Sequence, residues 1–261
     1  MTKIEWATTT WNPITGCTKI SEGCQNCYAE RMSKRLAGRY GYPKDDPFKV
    51  IFHHDKRDQP WKWKKQKRVF VCSMGDLFHD DVDPGYQYDI FKTAFDLRFR
   101  HTFVFLTKRP DNMLRFMSNP DMNGYCSGKP FLWHNGLLPA SFWLGVTAEN
   151  QKRADERIPI LLQIPAAVRF VSVEPMLGPV DLDKTCGPYH CWREGLDWVI
   201  CGGESGPRAR PMYPEWARSL KDQCSNIGIP FFMKQMSGRT KAERKAIPDD
   251  LMTREYPDEV S

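Results

Sequence analysis

Arg68-Val-Phe-Val-Cys-Ser-Met-Gly-Asp76 is a short run of β-branched and aromatic residues that ends in a polar cluster. A stretch with helical spacing follows from about Pro84 to Arg98, and a second apolar run, Thr102-Phe-Val-Phe-Leu-Thr-Lys-Arg-Pro110, comes after it. A nearly continuous apolar strand is typical of a parallel sheet that is covered on both faces. Because strand and helix alternate, these residues predict an α/β fold built from βαβ units.

The same alternation continues in both directions along the chain. Further strands are predicted before Cys17 and at Phe142 to Thr147, Val168 to Pro175, Trp198 to Glu204 and Ile229 to Gln235. Helices are predicted at Asp111 to Met117, Asn150 to Leu162 and Pro214 to Cys224. This gives about six to seven strands, a number that fits an open doubly wound sheet or a full or partial parallel (β/α) barrel.

Polar residues at the predicted carboxyl ends of the strands favour the barrel, because residues at those ends can converge on one pocket. They are Asp76, Lys108, Glu149, Glu174, Glu204 and Lys234. A single barrel domain is expected over residues 1–238, with rim insertions at 119–141 and 183–195 and a polar C-terminal tail at 239–261. Glu149, Glu156 and Arg157 fit the polar face of a surface helix.

Composition limits the class of protein. The chain has 41% hydrophobic and 27% charged residues, which is ordinary for a soluble globular protein. No apolar run long enough for a signal peptide or a membrane span occurs, so a cytoplasmic protein without membrane contact is expected. The nine cysteines are an odd number in a chain too long to need disulfides, which favours reduced thiols.

The positive charge is concentrated in the first quarter of the chain. Residues 1–68 carry 15 Lys and Arg against 7 Asp and Glu, whereas the rest of the chain is close to neutral. In the stretch from Trp61 to Arg68, basic residues and indoles interleave as they would to meet phosphates and stack on bases. A nucleic-acid or nucleotide partner is therefore one interpretation, and a solvated basic loop is the other.

The strongest chemical signal is Gly16-Cys-Thr-Lys-Ile-Ser-Glu-Gly-Cys-Gln-Asn-Cys-Tyr28. Three thiolates on Cys17, Cys24 and Cys27 predict a metal centre, because a C-x2-C turn presents two sulfurs to one metal. A closed zinc site needs four ligands, and His53, His54, Cys72 or His79 could supply the fourth. A 4Fe-4S cluster held by three cysteines keeps one iron for a ligand, and we favour it over zinc and over unliganded thiols.

With Thr10-Trp-Asn-Pro13 before it and Tyr28-Ala29 after it, this loop resembles a phage-associated three-cysteine-motif family of unknown function, related to the radical S-adenosylmethionine superfamily. Further matching motifs are Ser73–His79, Leu106–Pro110, Gly145–Asn150, Arg169–Pro175, Gly202–Gly206 and Phe231–Gln235. The resemblance implies a barrel, a 4Fe-4S cluster on the three cysteines, a reductase or other electron donor, and generation of a 5′-deoxyadenosyl radical from S-adenosylmethionine. The superfamily's usual spacing is C-x3-C-x2-C, whereas six residues fill the first gap here.

On this hypothesis Asp76, Glu174, Gly202, Gly203 and Glu204 bind the cofactor, and Glu174 and Lys108 take part in catalysis. Paired glycines admit a ligand to the backbone, and a neighbouring carboxylate accepts from an ammonium or a hydroxyl. Glu174 needs a cationic partner, for which Lys108, Arg109 and Lys234 are candidates. Asp76 could instead cap a helix at Leu77. Two other functions stay open: a non-catalytic zinc protein that binds nucleic acid or acts as an adaptor, and a hydrolase with Glu174 and Glu204 as acid and base.

Overall fold

The computed structural model describes residues 4–118, 138–183, 185, 186 and 189–257. Seven strands form one parallel sheet in the order β1-β4-β5-β6-β7-β10-β11. They are β1 Thr9–Trp11, β4 Lys67–Val71, β5 His101–Thr107, β6 Phe142–Thr147, β7 Val168–Val173, β10 Trp198–Gly202 and β11 Phe231–Gln235. The order follows the chain without the reversal of a doubly wound sheet, so the predicted α/β fold of the partial-barrel type is confirmed.

Helices connect most of these strands. They are α1 Tyr28–Leu36, α2 His54–Arg57, α3 Pro84–Asp96, α4 Pro110–Met117, α5 Gln151–Leu161, α6 Pro214–Ser225 and α7 Lys241–Lys245. Proline occupies the first position of α3, α4 and α6, where its missing N–H leaves no helical hydrogen bond unmade. The predicted helices after β4, β5, β6 and β10 are each present.

Two short antiparallel pairs lie outside the main sheet. They are β2 Ile14–Thr15 with β3 Ile51–Phe52, and β8 Thr185–Cys186 with β9 Tyr189–Cys191. The second pair falls in the predicted insertion at 183–195. Of the insertion predicted at 119–141, residues 119–137 lie outside the described residues.

The chain packs as two compact units. Unit 1 comprises Met1–Lys19, Cys27–Leu144 and Ile164–Ala167. Its core is aromatic: the rings of Phe91 and Phe105 stack with their centroids 4.6 Å apart, and Phe142 stacks on Phe105 at 5.5 Å. This packing joins α3 to the sheet and fixes where the carboxyl ends of β4 and β5 lie.

Unit 2 comprises Ile20–Asn26, Gly145–Gln163 and Val168–Ser261. Its core centres on Trp198 of β10, whose ring contacts Phe170 of β7 at 5.7 Å and Phe232 of β11 at 6.1 Å. The C-terminal segment packs onto this core, because Leu251 is fully buried and the Trp198 indole donates to the Glu255 carbonyl. The segment predicted as a polar tail thus contributes an apolar side chain to the core.

A candidate site at the cysteine loop

The three cysteines of the loop are more exposed than the other cysteines whose side chains the structure describes. Cys17 follows β2, Cys24 ends the 3₁₀ helix Glu22–Cys24, and Cys27 is the N-cap residue of α1. All three side chains are half-buried. By contrast, Cys72, Cys201 and Cys224 are buried free thiols. Burial raises the pKa of all three, that of Cys224 to about 12, so these three thiols resist the ionisation that metal binding needs.

Within unit 1, a buried guanidinium contacts the first of these thiols. Arg109 donates from Nη1 to Cys17 Sγ at 3.3 Å, and from Nη2 to Thr18 Oγ1 at 2.8 Å. Burial alone would lower the pKa of Arg109, but the negative charges of Cys17, Asp76 and Asp80 outweigh it and the pKa is raised. A cation this close favours the thiolate form of Cys17, which is the form that binds metal.

Asp76 anchors this arginine. Its carboxylate accepts from Thr107 Oγ1 at 2.8 and 2.9 Å and from Arg109 Nη1 at 3.4 Å. It also accepts from the backbone N–H groups of Phe78 and Lys108. The structure therefore brings Asp76 and Lys108 together at the ends of β4 and β5. No helix begins at Leu77, and the cofactor-binding role of Asp76 stays a prediction.

Two of the three histidines considered as a fourth zinc ligand, His53 and His79, have hydrogen-bond partners within the chain. His79 Nε2 lies 2.8 Å from Thr18 Oγ1, and His53 Nε2 lies 2.7 Å from Thr15 Oγ1. Burial lowers the pKa of both imidazoles, and the charge of Arg109 lowers that of His79 further. Among the described residues, no group of three or more His, Cys, Asp or Glu is arranged so that it could hold a metal ion.

Within unit 2, Glu149 holds the segment Ile20–Asn26, which carries Cys24. The Ser21 hydroxyl donates to Glu149 Oε1 at 2.6 Å. A Cβ at Gly23 would lie 2.2 Å from the same oxygen, so only glycine fits against the carboxylate. Glu149 is fully buried and is neutralised by Arg157, whose Nη1 lies 2.9 Å from Oε2.

The prediction that Glu149 and Arg157 belong to a polar surface was therefore wrong, because each neutralises the other in the core. The sequence carried a usable signal. Arg157 shares an apolar stripe of α5 with three buried residues at helical spacing, Ala154, Ile158 and Leu161. A charged side chain on such a stripe must be paired, and Glu149 is the acid that precedes the same helix. Glu156, by contrast, is exposed as predicted.

A second carboxylate, that of Glu22, belongs to the segment Ile20–Asn26 itself and binds residues of α5 and its N-cap. Glu22 Oε2 accepts from Arg153 Nε and Nη2 at 3.0 and 2.8 Å, while the Asn150 side chain donates to Oε1 at 2.5 Å. The hydrogen bonds from Arg153 hold the pKa of Glu22 at about 2. The loop is thus tied to the first turn of α5 by an ionised group at all but strongly acidic pH.

Glu204, which follows β10, holds the other end of the segment. The Asn26 amide donates to its Oε2 at 2.9 Å, and Arg210 donates from Nη2 to Oε1 at 2.6 Å. Burial would raise the pKa of Glu204, but the side chain and backbone N–H of Arg210 outweigh it and the pKa is lowered. Both carboxylate oxygens are engaged within the chain, and the predicted cofactor-binding role of Glu204 stays a prediction.

The remaining predicted site residues of unit 2 meet at the carboxyl ends of β7, β10 and β11. Glu174 pairs with Lys234, which confirms one of the three predicted partners. A Cβ at Gly202 would lie 3.5 Å from Glu174 Cδ, so this glycine leaves the carboxylate open on one side. A Cβ at Gly203 would lie 2.1 Å from the Ser237 backbone nitrogen, so this second glycine is required by close backbone packing.

None of the helices in the described ranges is long and apolar enough to cross a membrane. Comparison with curated proteins and with solved structures finds no match to this chain. A family model does match, over residues 1–259, and its description is a protein of unknown function. Since this match covers nearly the whole sequence, the chain belongs to the family of proteins of unknown function DUF5131.

Proposed function

We propose that this protein is a radical S-adenosylmethionine-type iron–sulfur enzyme, related to the phage-associated three-cysteine-motif proteins. Cys17, Cys24 and Cys27 supply the three thiolates. The observation that carries the proposal is the contact of Arg109 with Cys17, since a buried guanidinium 3.3 Å from a half-exposed sulfur favours a thiolate. The spacing of the three cysteines, within eleven residues of chain, supplies the rest of the argument.

The donor set fits an iron–sulfur cluster. Thiolates are its usual ligands, and these three cysteines are partly exposed. Metal ligands commonly take their final positions as the metal binds, because metal binding and folding are coupled. The proposal therefore rests on the spacing of the three cysteines in the sequence and on the contact with Arg109 that favours the thiolate form of Cys17. Cys17, Cys24 and Cys27 would hold the cluster, which would pass one electron from a partner reductase to the sulfonium of S-adenosylmethionine, so that its C5′–S bond breaks to give methionine and a 5′-deoxyadenosyl radical.

The chain's own residues have distinct tasks in this proposal. Arg109 holds Cys17 as an anion, and Glu149 and Glu204 fix the segment that carries Cys24. Within unit 2, Glu174 offers its carboxylate to the ammonium group of the cofactor, and Lys234 offers a cation to the carboxylate of the cofactor. Gly202 leaves space beside Glu174.

Iron and product analysis test the proposal together. The protein is purified without oxygen, reconstituted with iron and sulfide, analysed for iron, sulfide and zinc, and then reduced with dithionite in the presence of S-adenosylmethionine. We expect a coloured protein with about four irons per chain and formation of 5′-deoxyadenosine. Cys27→Ala should lose both, whereas Cys224→Ala, which removes a buried thiol outside the loop, should keep both.

A colourless protein with one zinc per chain would refute the proposal and support the zinc-binding alternative. A hydrolytic activity that survives in Cys24→Ala would instead support the alternative in which Glu174 and Glu204 act as acid and base. A nucleic acid or nucleotide is the substrate class that the basic first quarter of the chain favours, in a cytoplasmic protein. The iron, sulfide and zinc analysis does not test this choice of substrate class.

A further inference from the structure

One surface of unit 1 combines exposed aromatic rings with unpaired positive charge. It consists of Trp61–Lys65, which precede β4, and Arg98–Arg100, which precede β5; we call it the basic aromatic edge. The strands β4 and β5 are parallel neighbours, with Lys67 opposite His101. The two segments therefore lie at the same amino-terminal end of the sheet. The rings of Trp63 and His101, 5.6 Å apart, join them.

The exposed rings of this edge are available for stacking. Phe99 is 90% exposed and Trp61 is 48% exposed. The guanidinium of Arg98 lies 4.3 Å from the centre of the Phe99 ring. Lys62 follows Trp61 in the sequence, and Arg98 and Arg100 flank Phe99. Aromatic rings beside cations are the arrangement on which bases stack in proteins that bind single strands.

The charge of Lys62 acts on the nearby carboxyl of Asp58, whose pKa it helps to lower, but three other cations of the edge are not paired in this way. Within the part of the chain that the structure describes, Lys64, Lys65 and Arg100 form no salt bridge, and all three are exposed. Burial lowers the pKa of His101, and the positive charges of Arg100 and Lys67 lower it further. Arg100 of one segment and Lys67, which follows the other segment, thus contribute to a positive field at this end of the sheet, where phosphate groups would be attracted.

We infer that the basic aromatic edge binds single-stranded nucleic acid, with lysines on the phosphates and the rings of Trp61 and Phe99 on unpaired bases. The inference deepens the proposed function by naming its substrate class, and it rests on that function only for what happens to the bound strand. The edge lies at the amino end of β4, and Asp76 follows the carboxyl end. At about 3.3 Å per residue, the five residues of β4 span about 16 Å. The edge therefore holds the bound nucleic acid at the end of β4 that is farther from Asp76.

Fluorescence anisotropy with a labelled 20-nucleotide single strand, at several salt concentrations, tests this inference on the full-length protein. Trp61→Ala and Phe99→Ala should each weaken binding at least about fivefold. The variant with Lys62, Lys64 and Lys65 changed to Gln should reduce the slope of log affinity against log salt by about 2, since each phosphate contact contributes about 0.7. A duplex of the same sequence should bind more weakly than the single strand.

Tyr213→Ala and Lys241→Gln are matched controls, because they remove an exposed aromatic ring and an exposed lysine in unit 2. Both should leave the affinity unchanged. Equal loss in the controls, or no loss in the edge variants, would overturn the inference. Vesicles that contain phosphatidylserine are the second arm: if the edge variants weaken vesicle binding but not oligonucleotide binding, the edge faces a membrane and the inference is wrong.

The outcome is independent of the iron–sulfur proposal. Cys27→Ala should bind the single strand as tightly as the unmodified chain, because the edge contains no residue of the cysteine loop. Absence of iron chemistry in the unmodified protein, with binding of the single strand intact, would refute the proposed enzyme and leave this inference standing. Intact iron chemistry, with an unchanged affinity for the single strand in Trp61→Ala and Phe99→Ala, would refute only the inference that the basic aromatic edge binds nucleic acid.

Discussion

Replacement of Glu149 with alanine should destabilise the protein strongly. The side chains of Glu149 and Arg157 are 0% and 5% exposed, and their charges are 2.9 Å apart. Removing one partner of such a pair leaves a buried charge without its counterion, which costs about 3–5 kcal/mol. For a chain of this size that corresponds to a fall in Tm of about 6–20 °C. The loss of the Ser21 hydrogen bond adds to this effect.

The control lies on the same helix. Glu156 also pairs with an arginine, Arg153, but its side chain is 43% exposed. Since exposed ion pairs contribute less than about 1 kcal/mol, Glu156→Ala should change the stability little. Urea unfolding, followed by tryptophan fluorescence, measures the free energy of unfolding of both variants.

A loss of less than about 1 kcal/mol in Glu149→Ala would refute the reasoning, because it would mean that Arg157 finds solvent or another partner at little cost. The double variant Glu149→Gln with Arg157→Met separates charge from packing. If the buried pair acts as described, the double variant should be more stable than Glu149→Ala, since no unpaired charge remains in the core.

Two further predictions concern the cysteine loop. Arg109→Met should raise the pKa of the Cys17 thiol, because the variant lacks the cation that favours the thiolate. The pH of half-maximal alkylation of Cys17 by iodoacetamide, measured by mass spectrometry, should therefore move upward, whereas Arg115→Met, on the exposed face of α4, should leave it unchanged. An unchanged pH profile in Arg109→Met would show that the guanidinium does not stabilise a thiolate. The pKa of Glu22 is about 2 in the folded chain against a usual 4.5, so its ionised form stabilises the fold above pH 4.5, and this contribution is lost as the pH falls towards 2. The free energy of unfolding should therefore fall less steeply between pH 5 and 3 in Glu22→Gln than in the unmodified chain, and identical slopes would contradict the assignment.

The sheet was predictable because its signals are local. Runs such as Thr102 to Thr107 consist mostly of β-branched and aromatic residues, and they are bounded by polar residues. The start of the helix predicted from Pro84 to Arg98 is correct, because Pro84 and the capping residue Asp83 mark it in the sequence. The helix ends two residues early, at Asp96, because no comparable signal marks its C-terminal end. Elements of this kind depend on residues within about two turns of one another.

The contacts that fix the cysteine loop were not predictable in the same way. Asn26 and Glu204 are 178 residues apart, and Ser21 and Glu149 are 128 residues apart. No periodicity in the sequence specifies such pairs, since the sheet must form before its strand ends meet the loop. The sequence did predict that acids at strand ends converge, because parallel strands end at one edge. It did not predict that two of those acids hold a loop.

The partners of these acids separate their roles. Asp76, Glu149 and Glu204 are each paired with an arginine, and their side chains are at most 8% exposed. A guanidinium with several directed hydrogen bonds is a poor candidate for exchange with a ligand. Glu174 is instead paired with Lys234, and the two side chains are 20% and 17% exposed. A lysine ammonium is a flexible point charge, and a ligand ammonium can replace it beside the same carboxylate. Of these four strand-end acids, Glu174 is therefore the one whose partner a cofactor can displace with least disturbance of the fold.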